Sequence, residues 1–394
     1  MILKNCLSYP NNDIIDIKIK DGFVSDDSDD DIIIDVGKNM VIPSFSELHI
    51  HLDSAFILDE DLENKSGTLE EGISLWDKYK KEKLNPSELR GRVMKAIHLL
   101  ENNGVTRIRT NVDVSDPTLT ALKEMMRIKN EVKNVDLQIT AFPQHGLFTC
   151  TDNSELLEKS LELGADNVGI APHLEDTYEE GIKSIKTAYD LAEKYKKNID
   201  GHIDETDDPE SRFIELLAKE RIKRNFKGSV SAGHLTAMHS YNNQYANRVI
   251  GLIARAGIDV ISNPLINMHL QGRYDSYPRI RGVTRIREML DHGVNVSIGQ
   301  DCIMDPWYPL GSGDPLDALF MALHAEPLMT PDLLEHSLNM ITYNAAMAFG
   351  AKNYGYSYGS QGDFIVTDAK NPVEIIQYRH SRKVIRKGFL IKGD

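Results

Sequence analysis

The chain has 394 residues, 41% of them hydrophobic, so it can bury a core larger than that of one average domain. Sixty acidic residues against 45 basic ones give a net charge of −15, which disfavours nucleic acid or an anionic membrane surface as a partner and favours a neutral or cationic small molecule. Three cysteines, Cys6, Cys150 and Cys302, with no CxxC pair, exclude a disulfide framework and a cysteine-built zinc site, and indicate a reducing, cytoplasmic environment.

The first forty residues predict a small β element. Short apolar segments at 14–19 and 32–36 are typical of strands, and Asp21-Gly22 between them is typical of a turn. Five aspartates within residues 26–31 form a dense acidic run, which is expected to be a solvated turn. The N-terminal residues lack the apolar core of a signal peptide, and no segment approaches the roughly 18 apolar residues that a membrane-spanning helix needs. Neither secretion nor membrane insertion is expected.

From residue 40 onward, a short apolar strand followed by an amphipathic helix repeats along the chain. The best-marked helix has Asn85 as its N-cap and Pro86 at its first position, and it ends at Gly104. Eight candidate strands lie at 40–49, 105–112, 137–142, 167–171, 198–203, 229–233, 259–262 and 295–298. Helical patterns between them cover 118–129, 155–163, 181–196, 209–221, 245–256 and 284–292. Eight strands alternating with helices over about 260 residues predict an α/β fold, a (β/α)8 TIM barrel.

A doubly wound open sheet is the structural alternative. It is disfavoured because no GxGxxG motif follows the first strand and no GxxxxGK[ST] motif occurs. After the eighth strand, a helical stretch at 315–349 leads to a β-rich tail at 359–394. We therefore predict two domains: a barrel over residues 42–354, and a small β-sandwich formed by residues 1–41 and 355–394.

Polar side chains are predicted at the carboxyl ends of the barrel strands, where TIM barrels hold their active sites. Strand one ends in His49-Ile50-His51, and alternate side chains of an extended segment share a face, so the two histidines can hold one metal ion together. His202 at the end of strand five and Asp301 at the end of strand eight complete a site of three nitrogens and one oxygen. The sequence therefore predicts one divalent metal ion bound by these four residues.

Three residues near this site are predicted to be catalytic. A bound divalent metal lowers the pKa of water from about 16 to about 7, and Asp301 can both ligate the metal and accept the proton of that water. Glu205, three residues past His202, can carry a proton to the substrate, and His234 at the end of strand six can orient the water. Alone, Glu205 would be a surface acid and His234 a structural histidine. A second metal is not expected, because residues 168–173 at strand four contain no bridging lysine.

At these residues the chain resembles the bacterial cytosine deaminases of the amidohydrolase superfamily. The blocks that carry the resemblance run in order from about residue 42 to residue 311: HIHLDSA, SGTLEEGISLW, TNVDVSDPTLTALK, FPQHG, HIDETDD, HLTAMHSYN, NPLINMHLQGRYDSYP and DPWYPLG. The two termini match the β-sandwich of the superfamily only in general character.

The resemblance implies metal-dependent hydrolytic deamination of a small aminated heterocycle, giving the oxo-pyrimidine and ammonia. It also implies one iron or zinc ion per chain and assembly into a homo-oligomer. Glu205 would pass a proton to the ring nitrogen, and Gln144 would recognise the amide edge of the pyrimidine. Leu69 would offer its backbone carbonyl to the ring. Trp307 would form a wall of the pocket, although a role as a core anchor fits the sequence equally well. The deaminase class with an HxE and PCxxC signature is excluded because the chain has no CxxC pair.

Two departures from the family pattern bear on the substrate. Where the family reads HDD after strand eight, this chain reads Gln300-Asp301-Cys302, so a hydrated carboxylate is replaced by a smaller, weakly polar thiol. A methyl group on the ring would fit better there, which predicts 5-methylcytosine or another 5-substituted cytosine alongside or instead of cytosine. Cys302 is not expected to be a nucleophile, since no base for it is evident. His145 stands where the family often has Glu, and the sequence assigns it no role.

Other functions remain open at this point. One alternative is a deaminase of isoguanine, creatinine or a pterin. The other is a related hydrolase that opens a cyclic amide or removes an N-alkyl amine from a triazine. Ammonia release separates deaminases from the other hydrolases. A catalytically silent binding barrel is disfavoured because both Glu205 and Asp301 are retained.

Overall fold

The structure of the protein is a computed structural model that describes residues 1–27, 32–150 and 152–392. The predicted turn over residues 26–31 therefore lies largely outside the described residues. The described strands, in chain order, are β1 (Ile2–Ser8), β2 (Ile14–Lys20), β3 (Phe23–Ser25), β4 (Ile33–Asp35), β5 (Met40–Pro43), β6 (Phe45–Ile50), β7 (Val105–Asp113), β8 (Asp136–Phe142), β9 (Asn167–Ile170), β10 (Asn198–Ile203), β11 (Val230–His234), β12 (Asp259–Ser262), β13 (Val296–Ile298), β14 (Phe364–Thr367), β15 (Arg382–Arg386) and β16 (Phe389–Lys392).

The described α-helices, in chain order, are α1 (Leu69–Glu82), α2 (Pro86–Asn102), α3 (Thr120–Glu131), α4 (Asn153–Glu162), α5 (Tyr178–Tyr195), α6 (Phe213–Arg224), α7 (Asn243–Ala256), α8 (Pro264–Leu270), α9 (Ile286–Asp291), α10 (Pro315–Ala325), α11 (Pro331–His336), α12 (Tyr343–Phe349) and α13 (Pro372–Tyr378). Short 3₁₀ helices lie at Glu60–Leu62, Pro172–Leu174, Thr236–Ser240 and Ser337–Ile341. As predicted, α2 begins with Asn85 as its N-cap, whose side chain accepts a hydrogen bond from the Glu88 amide (3.1 Å). None of the helices in the described ranges has the length and apolar character that crossing a bilayer requires.

The strands β6 to β13 form one parallel sheet in chain order, which closes into a barrel. The barrel closes at a seam where the end of β6 lies beside the segment that follows β13. There the His51 amide donates to the Asp301 carbonyl (2.8 Å), and the Asp301 amide donates to the His49 carbonyl (2.7 Å). The eight predicted strands are all present, and the predicted barrel is confirmed.

The prediction of a single strand over 40–49 is wrong. The segment forms two strands in different sheets, β5 in the sheet of the termini and β6 in the barrel. The chain passes between the sheets at Ser44, whose amide donates to the Asp363 carbonyl (3.1 Å) instead of continuing the barrel ladder. Hydrophobicity could not mark this break, because both strands are buried throughout.

The two termini together form the second sheet, in the order β16-β15-β14-β5-β1-β2-β3, with β4 paired to β1. An apolar cluster of its own, with Leu3, Ile17, Phe364 and Ile385 among its members, packs within it. The predicted small β domain beside the barrel is thus present. Its N-terminal part extends to Pro43, past the boundary predicted at residue 41.

Buried charges join the second sheet to the start of the barrel strands. The Asp363 carboxylate accepts hydrogen bonds from Arg107 Nη2 (3.2 Å) and from Arg386 Nη1. All three side chains are at most 2% exposed. Arg107 belongs to β7 and Arg386 to β15, so the Asp363 carboxylate forms an ion pair with one guanidinium group from each sheet.

Candidate active site

The backbone turns sharply where three of the barrel strands end. His234 is the last residue of β11, Asp301 follows β13, and Asp204 follows β10; their φ angles are 69°, 69° and 52°. Residues other than glycine rarely adopt this left-handed region, and such positions concentrate at functional sites. The turns lie at the carboxyl end of the barrel, where the polar side chains predicted from the sequence come together.

Four histidines and one aspartate converge there. Nε2 of His202 lies 3.1 Å from Nε2 of His51 and 3.2 Å from Nε2 of His49, and Nε2 of His234 lies 3.1 Å from that of His49. The Asp301 carboxylate oxygens lie 3.6 Å from Nε2 of His51 and 3.9 Å from Nε2 of His49. Ligand atoms about 2.1 Å from a tetrahedral metal are roughly 3.4 Å apart. The spacing of the cluster therefore fits a single metal centre.

The protonation states of the rings also fit a cation. Burial lowers the pKa of His51 to about 4 and holds the pKa values of His49 and His202 well below the ordinary range, so the rings are neutral. Two neutral imidazole nitrogens can share only one proton, yet Nε2 of His202 faces two of them at once. A cation at the centre satisfies all of these lone pairs. The predicted ligands belong to two groups that could hold a metal, His49 with His51 and Asp301, and His49 with His202 and His234. Which of these residues ligate a metal stays a prediction.

Neighbouring strands shape the space around these rings. A Cβ atom at Gly233 in β11 would lie 2.7 Å from Cε1 of His49, so only glycine leaves room for that ring. Phe142, the last residue of β8, stacks on His202 with ring centroids 4.0 Å apart. The geometry of the cluster is therefore held by the barrel itself.

His234 lies between the cluster and Glu205. Its Nδ1 is 3.2 Å from Oε1 of Glu205 and 3.0 Å from Nδ2 of Asn267. Its Nε2 is 3.6 Å from Oδ2 of Asp301 and 3.3 Å from Nδ2 of Asn263. His234 therefore contacts both carboxyl groups of the site. That it acts beside the ligands and orients a water stays a prediction. Sequence reasoning missed Asn267, whose one signal is its place in the block NPLINMHLQ.

A cavity opens onto the cluster. The residues that line it are His51, Leu69, Gln144, His202, Glu205, Ile266, Leu270, Asp301, Cys302 and Trp307. All four residues predicted to bind the substrate are among them, and so is Glu205. Two apolar lining residues, Ile266 and Leu270, were missed because α8 follows β12 without a recognisable spacing of functional side chains.

Two carboxyl groups, those of Glu205 and Asp301, line this cavity. Burial, together with the neighbouring Asp301, raises the pKa of Glu205 well above its ordinary value. Burial and the charge of Asp305 likewise raise the pKa of Asp301. Glu205 can therefore hold a proton near neutral pH, as a group that delivers a proton to a substrate must. A divalent cation would stabilise the ionised form of the nearby carboxylates and favour binding through Asp301.

Cys302 contributes a neutral surface to the cavity. The side chain is buried, and burial raises the pKa of its thiol well above the ordinary value. The thiol is therefore protonated, and its Sγ donates to Oδ1 of Asp301 (3.6 Å). It packs in one apolar cluster with Ile266, Leu270 and Trp307. A protonated thiol in this setting is a poor nucleophile and a suitable wall for an apolar substituent.

Trp307 and Leu69 are hydrogen-bonded to each other. The indole N–H of Trp307 donates to the Leu69 carbonyl (3.3 Å), so one acceptor position of that carbonyl is used within the protein. A Cβ atom at Gly72, one turn further along α1, would overlap the indole ring. Trp307 therefore lines the cavity and also anchors α1. That the Leu69 carbonyl faces the substrate stays a prediction.

Gln144 is positioned by a tight turn after β8. The Gly146 amide donates to the Pro143 carbonyl (2.9 Å), and the Gln144 side chain is buried against the cavity. Among the described residues, no hydrogen bond occupies its amide group. The amide is thus available to a ligand, as the sequence predicted.

Comparison with known proteins identifies relatives of this fold and site. The model of the amidohydrolase family Amidohydro_3 matches residues 55–389. The crystal structure of 5-methylcytosine deaminase from Klebsiella pneumoniae, liganded with phosphonocytosine, superposes with a TM-score of 0.96 at 38% sequence identity, over 100% of this chain and 98% of that one.

Two curated proteins are similar over most of the sequence. N-isopropylammelide isopropyl amidohydrolase of Pseudomonas sp. (strain ADP) is 28% identical over 97% of this chain and 92% of its own length. Pterin deaminase of Rhizobium rhizogenes is 26% identical over 91% of this chain and 82% of its own length. By their names, two of the three relatives are deaminases and one is an amidohydrolase.

Proposed function

Because the chain belongs to the amidohydrolase family, we propose that it hydrolytically deaminates cytosine or a 5-substituted cytosine, with 5-methylcytosine as the leading substrate. The enzyme is a hydrolase of C–N bonds, and the products would be the oxo-pyrimidine and ammonia. One observation carries the choice of substrate: a single cavity holds the Gln144 amide, the Glu205 carboxyl and the neutral Cys302 thiol beside a group able to bind a metal.

The cavity is lined by polar residues and by apolar residues, and each group would have its own role in binding. The free amide of Gln144 can donate and accept, which matches the amide edge of a pyrimidine. Glu205 lies against the cavity, and burial together with Asp301 raises its pKa, so it can carry a proton to the ring nitrogen next to the carbon that is attacked. Cys302 and Trp307 exclude water from the opposite side, where a 5-methyl group would lie.

The ligand group would hold one divalent metal, which supplies an activated water for hydrolysis. Three imidazoles and one carboxylate suit iron or zinc, and we propose one such ion per chain. His234 lies close enough to Asp301 to orient that water from Nε2. A homo-oligomer and a cytoplasmic location stay predictions.

An assay of ammonia release tests the proposal. Metal-reconstituted protein is incubated with cytosine, 5-methylcytosine, isoguanine, creatinine and a pterin, and we expect the highest kcat/KM with 5-methylcytosine. The similarity to N-isopropylammelide isopropyl amidohydrolase favours one competing function, the removal of an N-alkyl amine from a triazine. Release of an alkylamine from N-isopropylammelide without ammonia from any pyrimidine would replace the proposed function by that one.

Changing Cys302 to Asp is expected to shift the preference toward cytosine. The carboxylate would place a hydrated, charged group where the neutral thiol now packs against Ile266 and Trp307, and a methyl group would lose its apolar contact. We expect the ratio of kcat/KM for 5-methylcytosine to that for cytosine to fall by about fivefold, because burying one methyl group is worth about 1 kcal/mol. The Cys302→Ser variant, neutral and nearly isosteric, is the control. An unchanged ratio in Cys302→Asp would show that Cys302 does not select the substrate.

A further inference from the structure

Helix α1 is fixed to the barrel through one buried carboxylate. The indole N–H of Trp76 donates to Oδ2 of Asp113 (2.8 Å), and Nζ of Lys80 donates to the same oxygen (2.5 Å). Asp113 is the last residue of β7, so the contact lies at the carboxyl end of the barrel. The same helix begins at Leu69 on the cavity. Its position therefore affects the shape of the cavity.

A second carboxylate continues this network from α1 to the neighbouring loop. Oδ1 of Asp77 lies 2.9 Å from Nζ of Lys80 and 3.0 Å from Nε2 of His145. Burial alone would raise the pKa of Asp77, but the hydrogen bond from His145 and the charge of Lys80 lower it to about 2. Asp77 is thus ionised at neutral pH, and the contact with His145 is a charge-assisted hydrogen bond.

His145 is adjacent in sequence to Gln144, and the loop that carries both is held mainly from the barrel side. The Leu147 amide donates to Oε1 of Glu175 (2.7 Å), and Nδ2 of Asn153 donates to the Gly146 carbonyl (2.7 Å). Toward α1, the side-chain contact of this loop found among the described residues is the one from His145 to Asp77. The distance between the Gln144 amide and the cavity wall on α1 therefore depends on that pair.

We propose that His145 and Asp77 are positioning residues, whose contact fixes Gln144 relative to α1 and thereby sets the affinity of the enzyme for its substrate. The proposal rests on the proposed function, because it assumes that Gln144 binds the ring. It also explains why a histidine suits position 145 in this chain: a glutamate there would face the ionised Asp77 and repel it.

A double-mutant cycle on KM tests the proposal in the metal-loaded enzyme. We expect His145→Ala and Asp77→Ala each to raise KM about fivefold with kcat within twofold of wild type, since binding of the ring is weakened while Glu205 and the metal ligands stay in place. The double variant should be no worse than either single variant, because both remove one contact. His145→Gln, which keeps an N–H donor, should recover part of the affinity. Additive effects on KM, or a fall in kcat with KM unchanged, would overturn the proposal.

The two tryptophans of the chain provide a readout that needs no substrate. Trp76 belongs to α1 and Trp307 packs against it at Gly72, and the two tryptophans are 1% and 5% exposed. If the pair holds α1 in place, acrylamide should quench tryptophan fluorescence more strongly in His145→Ala and Asp77→Ala than in wild type. Lys129→Ala is the matched control, because Lys129 and Asp166 form an ion pair of the same exposure (26% and 28%, against 27% and 28%) away from the cavity.

The two readouts separate this proposal from the proposed function. If wild type deaminates no pyrimidine, the proposed function fails, and the quenching comparison still decides whether the pair holds α1. Quenching in both variants equal to that of Lys129→Ala and wild type would overturn the proposal whether or not the enzyme is active.

Discussion

Changing Glu205 to Gln is expected to lower kcat for deamination by roughly 10²- to 10⁴-fold, the range that a positioned acid or base contributes. Glutamine preserves the size of the side chain and its place on the cavity wall but cannot exchange a proton. Burial and the neighbouring Asp301 raise the pKa of Glu205 in the wild-type cavity, and its Oε1 lies 3.2 Å from Nδ1 of His234. Steady-state kinetics with the preferred pyrimidine measure the effect.

Metal content distinguishes a lost proton transfer from a lost metal. Glu205 lies outside the predicted ligand set, so Glu205→Gln should retain about one metal per chain by inductively coupled plasma mass spectrometry. His202→Ala is the contrasting variant: it removes the nitrogen that faces both His49 and His51, and it should release the metal. Activity near that of wild type in Glu205→Gln would assign the proton transfer to another group, His234 being the nearest.

Changing Asp363 to Ala is expected to reduce the free energy of unfolding by about 3–5 kcal/mol, the cost of leaving buried charges without their partner. The substitution removes the carboxylate shared by Arg107 and Arg386, which are each about 2% exposed. Gln361 keeps a hydrogen bond to each arginine and Asp136 keeps its ion pair with Arg386, so the buried charge left without an anionic partner is that of Arg107. Urea denaturation followed by circular dichroism measures the loss.

Two further variants test whether the loss of stability in Asp363→Ala comes from the unpaired buried charge. Glu158→Ala removes a partner of the exposed Lys194, and it should cost less than about 1 kcal/mol. A triple variant, Arg107→Met, Arg386→Met and Asp363→Leu, should recover much of the stability because it leaves no buried charge unpaired. A loss below about 1 kcal/mol in Asp363→Ala would show that water reaches the two arginines. The kcat of the folded variant should be unchanged, since Arg107 lies near the start of β7 and the site lies at its end.

The barrel and the metal ligands could be predicted from the sequence because their signals are local. The alternation of strands and helices repeats eight times, and HxH places two side chains on one face of a strand. His202 and Asp301 needed only the rule that barrel strands carry function at their carboxyl ends. In the structure, His202 and Asp301 each lie within about 4 Å of both His49 and His51.

Other features depend on contacts that no local pattern encodes. Asn267 contacts His234 because α8 folds back over the strand ends, and no sequence pattern predicts that contact. The left-handed backbone at Asp301 has no residue signal, because aspartate is common in every strand-end turn. Helix α1 does have a local signal, because Thr68 followed by Glu71 is an N-cap signature. The Thr68 side chain accepts a hydrogen bond from the Glu71 amide (3.2 Å). The contribution of α1 to the cavity has no local signal, since it depends on Trp307, which is more than 200 residues away in the sequence.

The seam of the barrel also determines when the site can exist during folding. His49 and Asp301 are joined across the seam, and nearby the Gln300 amide donates to Glu47 (3.1 Å) across 253 residues of chain. Contacts between such distant segments form late, because closing a long loop costs entropy before any contact is gained. While the chain is being synthesised, His49, His51 and His202 emerge before Asp301 and offer three of the four predicted ligands. The predicted ligand set is complete once the last strand meets the first, so the fourth ligand would join only in the closed barrel.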